Sequence, residues 1–108
     1  MSTWEQITIY VGESDQWHGK PLYMALVEQA RQQGIVGATV TRGVVGFGNH
    51  SKIHTTQLFE LSSDLPMVVT MIDNPQAIAA FLPIVKEMVK EGLVISQSVT
   101  LVHPLPTF

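Results

Sequence analysis

The chain has 108 residues, 45% of them hydrophobic and only 14% charged, whereas an average globular chain carries roughly 25% charged residues. This length fits one domain, 1–108, and the apolar fraction together with a net charge of −3 excludes a disordered chain. No stretch has the roughly 20 apolar residues of a membrane span, no cysteine offers a disulfide or thiolate site, and a pI near 5.7 argues against general nucleic-acid binding.

The first half of the chain predicts a strand, a helix and a second strand. Gln6–Val11 alternates apolar and polar residues, as a half-buried strand does, and Pro21 suits the start of a helix that Gly34 ends. Ala38–Val45 is rich in β-branched residues and predicts the second strand, whereas Gly46–Lys52 has the composition of a loop. Apolar residues recur at helical spacing in the helix: Leu22, Ala25, Leu26 and Ala30.

The second half repeats this order. After Thr56–Leu61, which can extend, Pro66–Ile72 is almost continuously apolar, and this predicts a strand buried on both faces. Asn74 followed by proline is a helix start, and Gly92 is the expected end of that helix. Leu93–Val102 then predicts a final strand.

Two βαβ units of similar length predict an α+β fold, the ferredoxin-like sandwich (βαββαβ). It has a four-stranded antiparallel sheet with two helices on one face. The other face has no cover of its own, and the chain has few charges. We therefore expect copies of the same chain to bury that face, with the uncharged stretch Gly92–Phe108 well placed at the interface.

The charges are unevenly distributed along the chain. Between Gln29 and Phe59 there is no acidic residue, although Arg31, Arg42 and Lys52 are basic; the remainder carries three lysines against nine acids. An acid-free stretch in an acidic protein favours a local anion site, and the alternative is the ordinary depletion of acids in a β-rich segment.

The loop that follows the second predicted strand is the leading anion-site candidate. The glycines Gly46 and Gly48 expose backbone N–H groups, and Arg42 lies on the strand that leads into the loop. The alternative is a mobile loop whose glycines serve turn geometry, beside a solvated arginine. Four polar side chains complete the candidate site: Asn49, Ser51, Lys52 and His54.

The first predicted loop offers a metal site as an alternative. Glu13, Asp15 and His18 are residue types that bind divalent metals, with Lys20 beside them. The copper-tolerance CutA proteins have a similar trimeric architecture, so a CutA-like metal-binding trimer is a hypothesis to test. We favour the structural interpretation, in which these carboxylates accept hydrogen bonds from backbone groups of the turn.

Five short blocks occur in order along the chain: Gly12–Asp15, Gly19–Tyr23, Gly46–Gly48, Ile53–Thr55 and Asp64–Pro66. With Gly34–Thr41, they resemble PII nitrogen-signalling proteins and, more specifically, the PII-like family of domain of unknown function 190. The resemblance implies a cytoplasmic homotrimer that holds small ligands between subunits. It also implies a T-loop-like segment at about 46–62 that contacts a target protein.

The resemblance also implies a ligand and part of its site. Gly37, Ala38 and Thr39 match the stretch that lines the adenine pocket of PII proteins, and Gly46 and Gly48 match the glycines near the phosphates. An adenine nucleotide is therefore the expected ligand, and no other cofactor is expected. The segment after the second helix lacks the glycine-rich turn with which PII proteins hold phosphate.

No catalytic pattern is present in the sequence. Ser14 and Ser51 have no histidine–acid arrangement, and the glycines do not form a phosphate loop. Met1–Tyr10 lacks the basic start and apolar core of a signal peptide, which favours the cytoplasm. The sequence thus predicts a non-enzymatic sensor of a small anionic ligand, with no nucleic-acid partner and no membrane insertion. A CutA-like metal-binding trimer is the alternative.

Overall fold

The structure, a computed structural model, describes residues 2–47, 54–55 and 64–103. In chain order, the elements of these ranges are β1 (Ser2–Gly12), β2 (Gln16–Trp17), β3 (Lys20–Pro21), α1 (Leu22–Gln32), β4 (Gly37–Arg42), β5 (Val45–Gly46), β6 (His54–Thr55), β7 (Pro66–Asp73), α2 (Pro75–Met88) and β8 (Leu93–Leu101).

The four long strands form one sheet in the order β4-β7-β1-β8, and every neighbouring pair is antiparallel. Both helices pack against this sheet and against each other. The predicted α+β, ferredoxin-like βαββαβ fold is therefore confirmed, with β4 and β8 as the edge strands.

The hydrophobic core lies between the two helices and one face of the sheet. The predicted stripe of α1 is buried in full, which confirms the interpretation of its periodicity. Along β7, buried residues alternate with half-buried ones, so the single chain covers one face of this strand rather than the predicted two. The buried apolar side chains from the two central strands and from α2 are Ile7, Ile9, Val11, Met67, Val69, Met71, Ile78, Phe81, Val85 and Met88.

The opposite face of the sheet, called the open face below, carries no charged side chain on the described residues of the four long strands. The strand register defines rows that cross the sheet on this face. Three of them are Gly37–Ile72–Gln6–Gln97, Thr39–Thr70–Thr8–Ile95 and Thr41–Val68–Tyr10–Leu93.

Two of the four helix ends follow the predicted local signals, and α1 begins at Leu22, one residue after Pro21. Gly34 follows α1 with a positive φ of 81°, and Asn74 caps α2 by accepting a hydrogen bond from the backbone N–H of Ala77 at 2.8 Å. The predicted end of α2 at Gly92 is wrong, because the helix ends at Met88. Gly92 instead lies close to β1, where a Cβ would stand 2.7 Å from the backbone oxygen of Tyr10.

The predicted strand Ala38–Val45 is divided in two. β4 ends at Arg42, and the chain leaves the sheet at Gly43, whose N–H donates to the backbone oxygen of Pro66 at 2.7 Å. β5 then pairs antiparallel with β6, a short ribbon that the sequence did not predict. The predicted extension Thr56–Leu61 lies outside the described residues.

The first predicted loop contains a small hairpin, β2–β3, that the sequence analysis missed. Its two turn residues, His18 and Gly19, have positive φ values of 49° and 82°. Positive φ at both central positions is the geometry that matches the twist of a two-residue hairpin. This turn places the imidazole of His18 on the indole of Trp17, with ring centroids 4.3 Å apart.

Asp73, at the end of β7, is a buried carboxylate that joins two turns. Its Oδ2 accepts a hydrogen bond from the N–H of Val36 at 3.0 Å, and its Oδ1 accepts one from the N–H of Asn74 at 2.6 Å. The turn that enters β4 is thereby tied to the turn that enters α2.

Asp73→Asn is expected to lower the free energy of unfolding by about 1–3 kcal/mol, because the amide keeps one acceptor oxygen and leaves a buried N–H without a partner. Urea unfolding measures the loss. Glu87→Gln, an exposed change on α2 with the same loss of charge, is the control and is expected to stay within about 0.5 kcal/mol of wild type. Equal stability of the two variants would show that the Asp73 contacts contribute nothing.

Candidate functional site

The two ends of the 46–62 segment are held together at its base. Besides the hydrogen bond from Gly43 to Pro66, a Cβ at Gly43 would lie 2.7 Å from Cγ of Pro66, and one at Gly46 would lie 3.0 Å from the same atom. Gly43 needs to be glycine because the proline ring packs against the backbone there, and at Gly46 the same ring leaves little room for a side chain. The chain thus leaves β4 and returns to β7 at one compact point.

The turn that follows β1, residues 12–15, is bonded to the returning end of this segment. The N–H of Glu13 donates to the backbone oxygen of Leu65 at 2.8 Å, and the N–H of Ser14 donates to Oδ1 of Asp64 at 2.8 Å. Within the turn, Oδ2 of Asp15 accepts a hydrogen bond from the N–H of Gly12 at 2.8 Å. This last contact confirms the structural interpretation of Asp15.

The departing end of the segment is bonded to the same turn by an ion pair. Nη2 of Arg42 lies 2.5 Å from Oε2 of Glu13. The Arg42 side chain is 56% exposed, whereas that of Glu13 is 21% exposed. Arg42 is therefore accessible to a ligand, although its charge already has a carboxylate partner.

The candidate residues of β4 divide between the faces of this edge strand. Gly37 and Thr39 lie opposite Ile72 and Thr70 of β7, on the open face, and Ala38 lies on the core side. Arg42 also has the core-side register, opposite Met67 of β7. A ligand that contacts all of them would have to lie along the free edge of β4, because Ala38 packs against the hydrophobic core on one side of the strand.

The loop candidates are less fully described. Gly46 pairs with His54 in the β5–β6 ribbon, which places the backbone of both at the base of the segment. Gly48, Asn49, Ser51 and Lys52 lie outside the described residues, so their part in the anion site stays a prediction.

The metal alternative lacks support from the geometry. Within residues 2–47 and 64–103, no group of three or more histidine, aspartate or glutamate side chains could hold a metal ion. Glu13 pairs with Arg42, Asp15 accepts from the backbone, and His18 stacks on Trp17. The structure thus directs the three proposed ligands to separate contacts.

A cavity of about 180 Å³ lies between α1 and the β2–β3 hairpin. Trp17 and His18 contribute aromatic rings, and Lys20 and Glu28 form an ion pair at 2.9 Å on its wall. Of the predicted anion-site residues that the structure describes, none lines this cavity. The cavity was not predictable from the local sequence pattern, because the hairpin that forms one wall has strands of only two residues.

The chain has a PII-like fold. Comparison with protein families shows the particular group: the chain belongs to the DUF190 family, described as "Uncharacterized ACR", whose model matches residues 4–101. The resemblance seen in the sequence blocks is thereby confirmed. Neither helix of the described residues is long and apolar enough to cross a membrane.

Two curated relatives are similar over most of their length. A UPF0166 protein of Aquifex aeolicus (strain VF5) is 36% identical over 97 residues, which cover 90% of this chain and 91% of that protein. A UPF0166 protein of Methanocaldococcus jannaschii is 32% identical over 90 residues, and the match covers 82% of each chain.

Two solved structures share the fold at low sequence identity. CPII, a nitrogen regulatory PII-like protein from Thiomonas intermedia K12 bound to ADP, AMP and bicarbonate, has a TM-score of 0.65 and 14% identity. The match covers 95% of this chain and 92% of CPII. A PII-like protein from Thermus thermophilus has a TM-score of 0.63 and 18% identity, with 90% and 87% of the two chains covered.

Proposed function

We propose that this protein is a non-enzymatic, cytoplasmic PII-like sensor that binds a small anionic ligand, an adenine nucleotide, and regulates a target protein through its 46–62 segment. The main support is the base of that segment, where Gly43 and Pro66 are in contact. There an exposed arginine, Arg42, stands where the edge strand β4 leaves the sheet. The complex of CPII with ADP, AMP and bicarbonate supports this choice of ligand.

The open face supports an oligomeric site. Gly37 and Thr39 lie on that face, at the edge strand, so a second copy packed there would place its own residues beside them. We propose a homotrimer, as the resemblance implies, with one ligand in each cleft between subunits. The uncharged rows of the open face then become buried contacts between chains.

The proposed mechanism is a shift between two arrangements of the 46–62 segment. A ligand shifts such an equilibrium only when it binds one arrangement better than the other. The anionic group of the ligand would contact Arg42 at the base of the segment and Lys52 within the segment. The favoured arrangement would then engage or release the target protein.

Arg42→Gln is expected to weaken ADP binding by about tenfold or more, because a hydrogen bond to a charged group contributes about 1.5–3 kcal/mol. Calorimetric titration of wild type and variant with ADP, AMP and bicarbonate measures the change, and Lys52→Ala tests the second cation. Arg31→Gln removes the same charge from the exposed end of α1 and is expected to bind like wild type.

Two results of these titrations would contradict the proposal. Absence of heat with all three ligands would remove the nucleotide-sensor function. An equal loss of affinity in Arg42→Gln and Arg31→Gln would show a general effect of net charge rather than a site at the base of the segment.

A further inference from the structure

The fold places an acidic side chain beside the stretch of sequence that has no acidic residue. Between Gln29 and Phe59 no residue is acidic, yet Glu13, from the turn after β1, lies with its carboxylate against Arg42. The described cation closest to the base of the 46–62 segment is therefore paired before any ligand arrives.

Hydrogen bonds from the backbone of the turn hold Glu13 beside Arg42. Its own N–H is bonded to Leu65, the next N–H is bonded to Asp64, and its side chain is more buried than that of its partner. Because the Arg42 side chain is more than half exposed, a ligand can approach it from the solvent side. Such a ligand would meet an arginine that already has one carboxylate acceptor.

We infer that Glu13 is a built-in competitor for the ligand anion at Arg42. This inference rests on the proposed function and adds a residue that sets the affinity and the charge required of the ligand. A singly charged anion that displaces Glu13 replaces one charge by another, whereas a phosphate or diphosphate group brings more charge to the same guanidinium. The competitor thus favours phosphate-bearing ligands over simple carboxylates.

Displacement of the Glu13 carboxylate would also affect the contacts at both ends of the 46–62 segment. The turn of residues 12–15 is bonded to Asp64 and Leu65 at the returning end of the 46–62 segment. When the carboxylate of Glu13 leaves Arg42, the departing end of the segment loses its side-chain tie to this turn. Ligand occupancy is then coupled to how the two ends are held.

Glu13→Gln is expected to bind ADP about two- to fivefold more tightly than wild type, because removing the charge removes the competitor and partly exposed ion pairs have strengths of this order. The difference should grow at low ionic strength, where exposed charges are screened less. Glu13→Asp, which keeps the charge on a shorter side chain, is expected to fall between the two.

Glu28→Gln is the matched control, since Glu28 is also a carboxylate paired with an exposed cation, Lys20, away from the base. It is expected to bind ADP like wild type in the same titration. Thermal melting of each variant reports its fold.

The outcomes distinguish this inference from the proposed function. If wild type binds ADP and Glu13→Gln binds it equally or more weakly, Glu13 is not a competitor, and the proposed sensor function still stands. Tighter binding by Glu13→Gln than by wild type, with Glu28→Gln unchanged, would support the role of Glu13 as a competitor. No binding by either chain would overturn both.

Discussion

Ile95→Asp is expected to convert the proposed trimer into single chains of 11.9 kDa. Ile95 lies on β8 opposite Thr8, in a row of the open face that contains no charge. If copies of the chain cover this face, the new carboxylate is buried without a partner three times in each assembly. The cost of burying an unpaired charge is large enough to prevent association. Sedimentation equilibrium measures the mass.

Thr100→Asp provides the control on the same strand. Thr100 is exposed, and its register places it on the opposite side of β8 from Ile95, so the same added charge meets solvent. This variant is expected to keep the wild-type mass. If Ile95→Asp also keeps that mass, the open face is not the interface. If wild type is itself a single chain, the clefts between subunits do not exist.

Phe81→Ala is expected to lower the free energy of unfolding by about 3–5 kcal/mol. Phe81 is 2% exposed and is the largest of the fully buried side chains that join α2 to the sheet. Removing the ring takes apolar surface out of the core and leaves a cavity that the surrounding backbone fills only in part. Chemical unfolding followed by circular dichroism measures the loss.

Two further variants of α2 test the cause of this effect. Phe81→Leu keeps most of the apolar volume and is expected to lose less than half as much stability as the alanine variant. Lys86→Ala, at an exposed position of the same helix, is expected to change stability by no more than about 0.5 kcal/mol. A small loss in Phe81→Ala would mean that the core between α2 and the sheet is not packed as described.

The elements with strong local signals were predictable from the sequence. The stripe of α1, the left-handed Gly34 and the Asn74 cap each depend on residues within a few positions of one another, and the structure contains all three. The end of β4 was not predictable in this way. It is set by a contact between Gly43 and Pro66, whose separation in sequence carries no periodic signal.

In the candidate site, too, some features were predictable from the sequence and others depend on contacts that only the fold creates. Arg42 was identified from its place in an acid-free stretch, but its partner Glu13 comes from a different loop, and only the sheet register brings the two together. Asp64 and Leu65 belonged to a recognised block without an assigned contact, although both bond to the turn of residues 12–15. The β2–β3 hairpin was missed because its strands are two residues long and carry no alternating pattern.

Hydrogen exchange of the wild-type chain with and without ADP tests the central claim, a ligand site at the base of the 46–62 segment, most directly. The account predicts that ADP slows exchange along β4 and β5, from Gly37 to Gly46. Exchange around the cavity between Trp17 and Gln32 is expected to stay unchanged. Slowed exchange confined to that cavity, or no change anywhere in the chain, would contradict the account.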